Sequence, residues 1–303
     1  MAEINSLSEL RLAALKNGRK RVAVVMADDD IALQAAADAA ALGLAHPILI
    51  GDAEAIRQRM SALGLSRLEE IVEIIHSAEP AALAVRMAGQ GAANILLKGH
   101  LRSDELLHAV LDKNAGLRTG RLLSDVLIYE DMLSGSRRLV GITDGGLVVA
   151  PNLEQKKQIV LNAIEVMHCL GLKRPKIALM SASEVVSDAM VSSTDAHALT
   201  QMAEVGLFGD ADVFGPLALD NALLVSAAEA KGIRNPVAGR ADCMVVPAIE
   251  AGNLLGKAAK YFTGSQCAHV VVGAKVPVLI PSRVESADDK INSIALGALY
   301  GAR

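Results

Sequence analysis

Tryptophan is absent from this 303-residue chain, which carries only three Tyr and three Phe. Single-strand binders stack bases on aromatic faces, so this composition excludes such a platform for nucleic acid. Positive charge is not in excess either. Lys and Arg number 30 against 34 Asp and Glu, a formal net charge of −4. Affinity for a phosphate backbone comes from clustered cations, and this balance excludes a general polyanion binder. Cysteine is scarce. Cys169, Cys243 and Cys267 make no CxxC pair and leave an odd count, as expected of buried, reduced thiols. Long apolar runs are missing too, although a spanning helix needs about 20 such residues. The stretch Ile31–Leu49 is broken by Asp38, His46 and Pro47, and the run Val270–Val272 ends at Gly273 and Lys275. The opening MAEINSLSEL has no apolar signal core, so a cytoplasmic protein is expected.

Several chemical signatures are also lacking. There is no GxxxxGK[ST] phosphate loop and no GxGxxG after a strand, so nothing points to a nicotinamide site. Seven His residues show no HExxH or other metal spacing, and no metal is expected. No GxSxG elbow or cysteine-nucleophile signature occurs.

What is present is apolar and aliphatic. Hydrophobic residues make up 52%, which argues for a packed core built from Ala, Val, Ile, Leu and Met rather than disorder. The length suggests two domains. Short apolar runs read as strands at Val22–Met26, Pro47–Ile50, Ile95–Leu97, Arg138–Ile142, Lys176–Met180, Cys243–Val246, His269–Val272 and Val276–Ile280. Amphipathic segments between them include Ile31–Leu42, Ala53–Leu63, Ala81–Ala88, Asp104–Asp112, Leu153–Leu170, Ala196–Val205, Leu217–Lys231, Ala251–Tyr261 and Lys290–Tyr300. Alternating strand and helix, with strands too continuously apolar to be half-solvated, predicts an α/β fold with mainly parallel sheets. Thr143–Pro151, punctuated by Gly145, Gly146 and Pro151, is the expected domain boundary, with Asn152 capping a long helix after it. Two α/β domains with a cleft between them commonly hold a small-molecule site there.

Five segments have residue types that can carry chemistry. At Lys98-Gly99-His100-Leu101-Arg102 an apolar strand ends in a basic, glycine-containing turn before a helix, which suits an anion and equally describes an ordinary strand–turn–helix. Ser181-Ala182-Ser183-Glu184 and Ser192-Ser193-Thr194-Asp195 offer hydroxyls that cap a helix or bind a phosphoryl oxygen. Gly215-Pro216 reads as a turn opening a helix near Leu217, where Asp220 either serves the helix dipole or faces a ligand. Asn253 and Lys257 share one helix face, toward either a cleft or solvent. The sharpest segment is Pro281-Ser282-Arg283-Val284-Glu285-Ser286-Ala287-Asp288-Asp289-Lys290. A strand runs into hydroxyl, guanidinium and carboxylate, and Ser286 looks like the cap of the last helix. Open α/β sheets place ligands at that end of a strand, Arg grips phosphate in bidentate fashion, and an Asp accepts a proton. A Ser-capped helix with Asp288 and Asp289 serving the dipole explains the same residues.

From about Val22 to Gly301 the chain resembles the phosphate acetyl/butyryltransferase family, most nearly its butyryl branch. The resemblance lies in the order and spacing of LLKGHLRSDELL, DGGLVVAPNLEQKKQIVLNAIEV, SSTDAHALTQMAEVG, GPLALDNAL, VPAIEAGNLLGKAAKY, VGAKVPVLIPSR and KINSIALGAL. It implies reversible transfer of a short acyl group between coenzyme A and inorganic phosphate, with coenzyme A as substrate and no permanent cofactor. It implies two α/β domains with the active site in the cleft, related to the isocitrate/isopropylmalate dehydrogenase-like fold. On that plan residues 1–145 plus about 275–303 form a discontinuous first domain, and 146–274 the second. It also implies a homodimer or larger homo-oligomer, with no nucleic-acid or membrane partner.

By motif position, Ser282, Arg283 and Asp289 match the family's functional Ser-Arg pair and downstream Asp. Asp289 would take the thiol proton, Ser282 would hold the developing oxyanion or sulfur, and Arg283 would hold the phosphoryl group. Lys98, Gly99, Ser193, Thr194, Asp220, Asn253 and Lys257 are candidates for substrate contact. The chain departs from the family pattern at Phe214, where an Asp is frequent. It departs at Ser124-Asp125, where many members have Ser-His, and at His269, where a small residue is common. The related fold leaves an oxidoreductase open as another reading, and these departures leave open a non-catalytic protein that binds coenzyme A or an acyl phosphate.

Overall fold

A computed structural model describes residues 2–114, 117–133, 135–282 and 285–301. The chain divides into two compact units, Met1–Leu7 with Leu122–Cys267, and Ser8–Arg121 with Ala268–Arg303. Both are α/β. The turn at Thr143–Pro151 lies inside the first of these units.

The second unit carries β1 (Lys20–Val25), β2 (Ala45–Gly51), β3 (Glu73–His76), β4 (Ile95–Lys98), β11 (Val278–Leu279) and β10 (Cys267–Val272, shared at its first residue). Their order is β3-β2-β1-β4-β11-β10; all neighbours are parallel except β10 and β11. Val22, Ala23, Val24 and Val25 are all buried although successive residues face opposite sides, so β1 is covered on both faces. Its helices are α1 (Leu7–Lys16), α2 (Asp30–Ala41), α3 (Ala53–Ala62), α4 (Pro80–Gly89), α5 (Ser103–Val110) and α11 (Ala287–Tyr300). Local signals explain their starts. Asp29 caps α2 by accepting from Ala32 N at 2.7 Å, Asp52 caps α3, and Pro80 stands in the first turn of α4. The last helix, α11, packs on α2, β4 and β11.

The first unit carries β5 (Ser124–Asp131), β6 (Arg138–Thr143), β9 (Cys243–Val245), β7 (Lys176–Met180) and β8 (Asp212–Leu217), in that sheet order. Among its described residues only the β5–β6 pair is antiparallel. Around it lie α6 (Leu153–Cys169), α7 (Val191–Glu204), α8 (Leu219–Leu223), α9 (Val225–Ala230) and α10 (Ile249–Thr263). Asn152 caps α6, as expected, and Gln155 completes a capping box with it. Leu127, Val140, Ile142, Met180, Leu217, Val237 and Met244 belong to its core.

Two local expectations are corrected. Gly215-Pro216 is not a turn but the end of β8. This is the edge strand of its unit, where a missing N–H breaks no ladder on the open side. The single helix expected over Leu217–Lys231 is two, α8 and α9, broken at the extended residue Leu224. The carbonyls of Asn221 and Ala222 accept from Gly239 N at 2.8 Å and Ala241 N at 3.1 Å, so a continuous helix loses those acceptors. Among the described residues, no helix is long and apolar enough to cross a membrane.

Candidate active site

In the second unit the chain leaves β1 for β2 and β3 on one side and returns to β4 on the other. The C-terminal ends of β1 and β4 therefore meet at a topological switch point, the ligand end of an open α/β sheet. Lys98 ends β4 and is buried; its Nζ donates to Leu101 O at 3.2 Å and lies 3.4 Å from Gly99 O. Gly99 passes so close to the end of β1 that a Cβ there would collide with the carbonyl oxygens of Met26 and Val25. Asp28 and Asp29 follow β1 at the same end. Asp28 Oδ2 lies 3.6 Å from His100 Nδ1, and its buried Oδ1 has no hydrogen-bond partner.

The register Leu279↔Leu97 sets β11 beside β4, so Ile280 leaves the sheet next to Lys98 and Ser282 follows two residues on. Ser282 is exposed, and its carbonyl accepts the Glu285 N–H at 3.1 Å. Ser286 is the cap of α11, as expected. Its hydroxyl accepts from Asp289 N at 3.2 Å and donates to Asp289 Oδ2 at 2.7 Å. Asp289 is 2% exposed. Glu285 is buried, with Oε1 3.4 Å from His269 Nε2. Lys290 Nζ lies 3.6 Å from Asp29 Oδ1; burial lowers its pKa, while Asp29 pulls the other way. Arg283 lies outside the described residues.

The first unit holds the other candidates on separate elements. Ser193 is buried in the first turn of α7. Its hydroxyl accepts from Ser187 N at 2.9 Å and shares its proton between Met190 O at 2.8 Å and Ser187 O at 3.1 Å, so its proton and one lone pair are engaged by the preceding loop. Thr194 Oγ1 donates to Val191 O at 3.1 Å, an ordinary first-turn bond. Asp220 in α8 is exposed, 3.7 Å from Lys231 Nζ, which pairs with Glu184 at 3.0 Å. Asn253 and Lys257 are exposed on α10, and Asn253 Nδ2 lies 3.4 Å from Gly145 O. Gly145 and Gly252 make that approach possible, since a Cβ on Gly145 would stand 2.7 Å from Gly252 C.

Asp144 is a buried acid that the sequence does not single out. It follows β6 and takes the N–H groups of Gly146 (2.8 Å), Leu147 (2.9 Å) and Val148 (3.1 Å) on its carboxylate. Burial, and then the charge of Asp125, push its pKa up to about 6 despite those bonds. The only sequence signal was the Asp-Gly-Gly triplet, which reads as a turn. Of the three departures, Asp125 is buried beside Asp144, Phe214 packs on the core of the first unit, and His269 is half-buried.

A family model described as phosphate acetyl/butaryl transferase matches residues 67–298. The phosphate acetyltransferase of Rhizobium meliloti is 41% identical over 277 residues, 91% of this chain and 87% of that protein. The phosphate butyryltransferase of Clostridium acetobutylicum is 37% identical over 297 residues, 98% of each chain. The solved structure of a branched-chain phosphotransacylase from Enterococcus faecalis V583 superimposes with a TM-score of 0.81 at 30% identity, covering 93% of this chain and 99% of that one.

Proposed function

The chain belongs to the phosphate acetyl/butaryl transferase family, and on that premise we propose that it moves a short acyl group, butyryl-like or acetyl, between coenzyme A and inorganic phosphate. The observation that carries the reading is the shared end of β4 and β11, where Lys98, Gly99 and Ser282 leave adjacent parallel strands. A lysine held in place and an exposed hydroxyl at one sheet end suit an acyl phosphate, which presents a dianion and a carbonyl; Gly99 lets the chain carrying Lys98 pack against the end of β1.

In the thioester-forming direction the coenzyme A thiol gives its proton to the Asp289 carboxylate, directly or through a water. The thiolate sulfur attacks the acyl carbonyl carbon, and the carbonyl π pair moves to oxygen. The Ser282 hydroxyl donates to that oxyanion. Collapse restores the C=O and breaks the bond between the acyl carbon and the bridging oxygen; phosphate leaves with that electron pair and takes up the proton held by Asp289, directly or through the water, which regenerates the carboxylate. Arg283 neutralises the leaving phosphate; its part rests on guanidinium chemistry and on the family resemblance. An oxyanion donor typically contributes about 10²–10³ in rate, and a general base about 10²–10⁴. Transfer is direct, in a ternary complex, with no acyl-enzyme.

The family plan supports placing the reaction in a cleft between two α/β domains of the isocitrate/isopropylmalate dehydrogenase-like kind. Thr194, Asp220, Asn253 and Lys257 are the proposed substrate contacts of the first unit. Ser193 supports the loop that precedes them. Assembly as a homodimer or larger homo-oligomer is supported by Leu254, Tyr261 and Phe262, which α10 exposes at 70%, 56% and 89%. A cytoplasmic setting is supported by three buried cysteines that form no disulfide.

The test is thioester formation from coenzyme A with acetyl, propionyl and butyryl phosphate, followed by ultraviolet absorbance. Saturable turnover with one chain length preferred is expected. Folded protein that binds coenzyme A but turns over none of the three would overturn the reading.

A further inference from the structure

His269, in β10, is tied to two points of the segment that carries the proposed catalytic groups. Its Nε2 lies 3.4 Å from Glu285 Oε1. Its backbone N–H donates to Ser293 Oγ at 2.9 Å, and that hydroxyl donates onward to the Asp289 carbonyl at 2.9 Å. The Glu285 N–H donates to the Ser282 carbonyl at 3.1 Å. One residue of β10 thus reaches Ser282 through Glu285, and the first turn of α11 through Ser293.

Glu285 is the weak point of this arrangement. It is 6% exposed, and its Oε2 is buried with no hydrogen-bond partner. A buried carboxylate with one bare oxygen holds its place only while its other oxygen is held. Lys290 adds attraction from the first turn of α11, but its ammonium is paired 3.6 Å from Asp29. The imidazole is therefore the group that fixes the Glu285 side chain.

We infer that His269 is a positioning residue for acyl transfer: it holds Glu285, whose N–H bonds the Ser282 carbonyl, while its backbone amide steadies the helix start that carries Asp289. The inference rests on the acyl-transfer reading. His269 touches no reacting atom. Its effect is on placement, where about 1 Å of error is enough to cost on the order of 10²-fold in rate.

The test compares wild type, His269→Ala and His269→Gln in two measurements. The first is kcat and KM with coenzyme A and the best acyl phosphate. The second is hydrogen exchange of the Glu285–Asp289 amides without substrate. His269→Ala is expected to lower kcat by about tenfold or more, to leave both KM values within about twofold, and to speed exchange in that segment. His269→Gln, which keeps a polar N–H donor group within reach of Glu285 Oε1, is expected to recover most of both. Unchanged kcat and exchange in His269→Ala overturn the inference, and so does a kcat loss that His269→Gln fails to rescue. A wild type that turns over no acyl phosphate, with the exchange pattern still as expected, overturns the acyl-transfer reading instead, because exchange does not depend on turnover.

Discussion

Oδ2 of Asp289 accepts twice from Ser286, from the hydroxyl at 2.7 Å and from the backbone N–H at 3.0 Å. The same carboxylate is thus the reciprocal half of a helix cap and the proposed acceptor of the thiol proton. The two parts separate by substitution. Asp289→Asn keeps an oxygen for Ser286 but takes no proton. It is expected to lower kcat by about 10²-fold or more with an unfolding free energy within about 0.5 kcal/mol of wild type. Asp289→Ala is expected to lose the same activity and a further 0.5–2 kcal/mol or so of stability, the usual cost of a lost cap. Kinetics paired with urea unfolding on both variants checks this; an active Asp289→Asn removes Asp289 as the base.

Asp144 makes stability depend on pH in a stated direction. Its carboxyl ordinarily titrates at 3.8 and in the fold at about 6. The folded state therefore keeps a proton that the unfolded chain has lost. The stability this contributes is complete below about pH 4 and disappears as pH rises through 6, up to roughly 3 kcal/mol in all. Unfolding free energies at pH 4.5 and 7.5 are expected to show this loss in wild type and not in Asp144→Asn. Parallel pH profiles for the two would count against the shifted carboxyl.

Gly99→Ala sets a methyl against the backbone carbonyls of Met26 and Val25 at the end of β1. Backbone cannot give way as a side-chain tip does. The expected cost is at least about 2 kcal/mol. A fall in turnover should accompany it, because Lys98 moves with the turn. Thermal unfolding and kcat on one preparation check it.

Ser193→Ala removes the hydroxyl that joins Ser187 N, Ser187 O and Met190 O. A buried N–H left without its acceptor typically costs about 1–3 kcal/mol. Stability is expected to fall by that amount while KM for both substrates stays within about twofold. A large rise in KM with unchanged stability would return Ser193 to the substrate.

The parts of this molecule that were legible in the sequence are those set by near neighbours. Apolar runs marked β1, β4 and β7, and Asn152 and Ser286 sit where local capping rules put them. The alternation of these elements gave the α/β class. What was missed depends on distant partners. β5 begins Ser124-Asp125 and ends Glu130-Asp131, and it is a strand because it pairs with β6. Pro216 sits in a strand because β8 is an edge. Leu224 breaks a helix because residues 239–241 take the carbonyls before it. At the candidate site, Ser282 and Asp289 could be proposed together from the sequence because they fall within one short segment. The link from Glu285 to His269, 16 positions apart, was not. Asp144 was read past because Gly145 and Gly146 after it have the composition of a plain turn, while its pKa is set by burial and by Asp125, 19 positions earlier.

The most direct test of the central claim is exchange of isotopically labelled inorganic phosphate into acyl phosphate, with and without coenzyme A. Label is expected to enter butyryl or acetyl phosphate rapidly when coenzyme A is present and not at all without it. That pattern is the mark of acyl transfer to the coenzyme A thiol in a ternary complex. No incorporation with coenzyme A present would contradict the activity, and incorporation without it would contradict direct transfer.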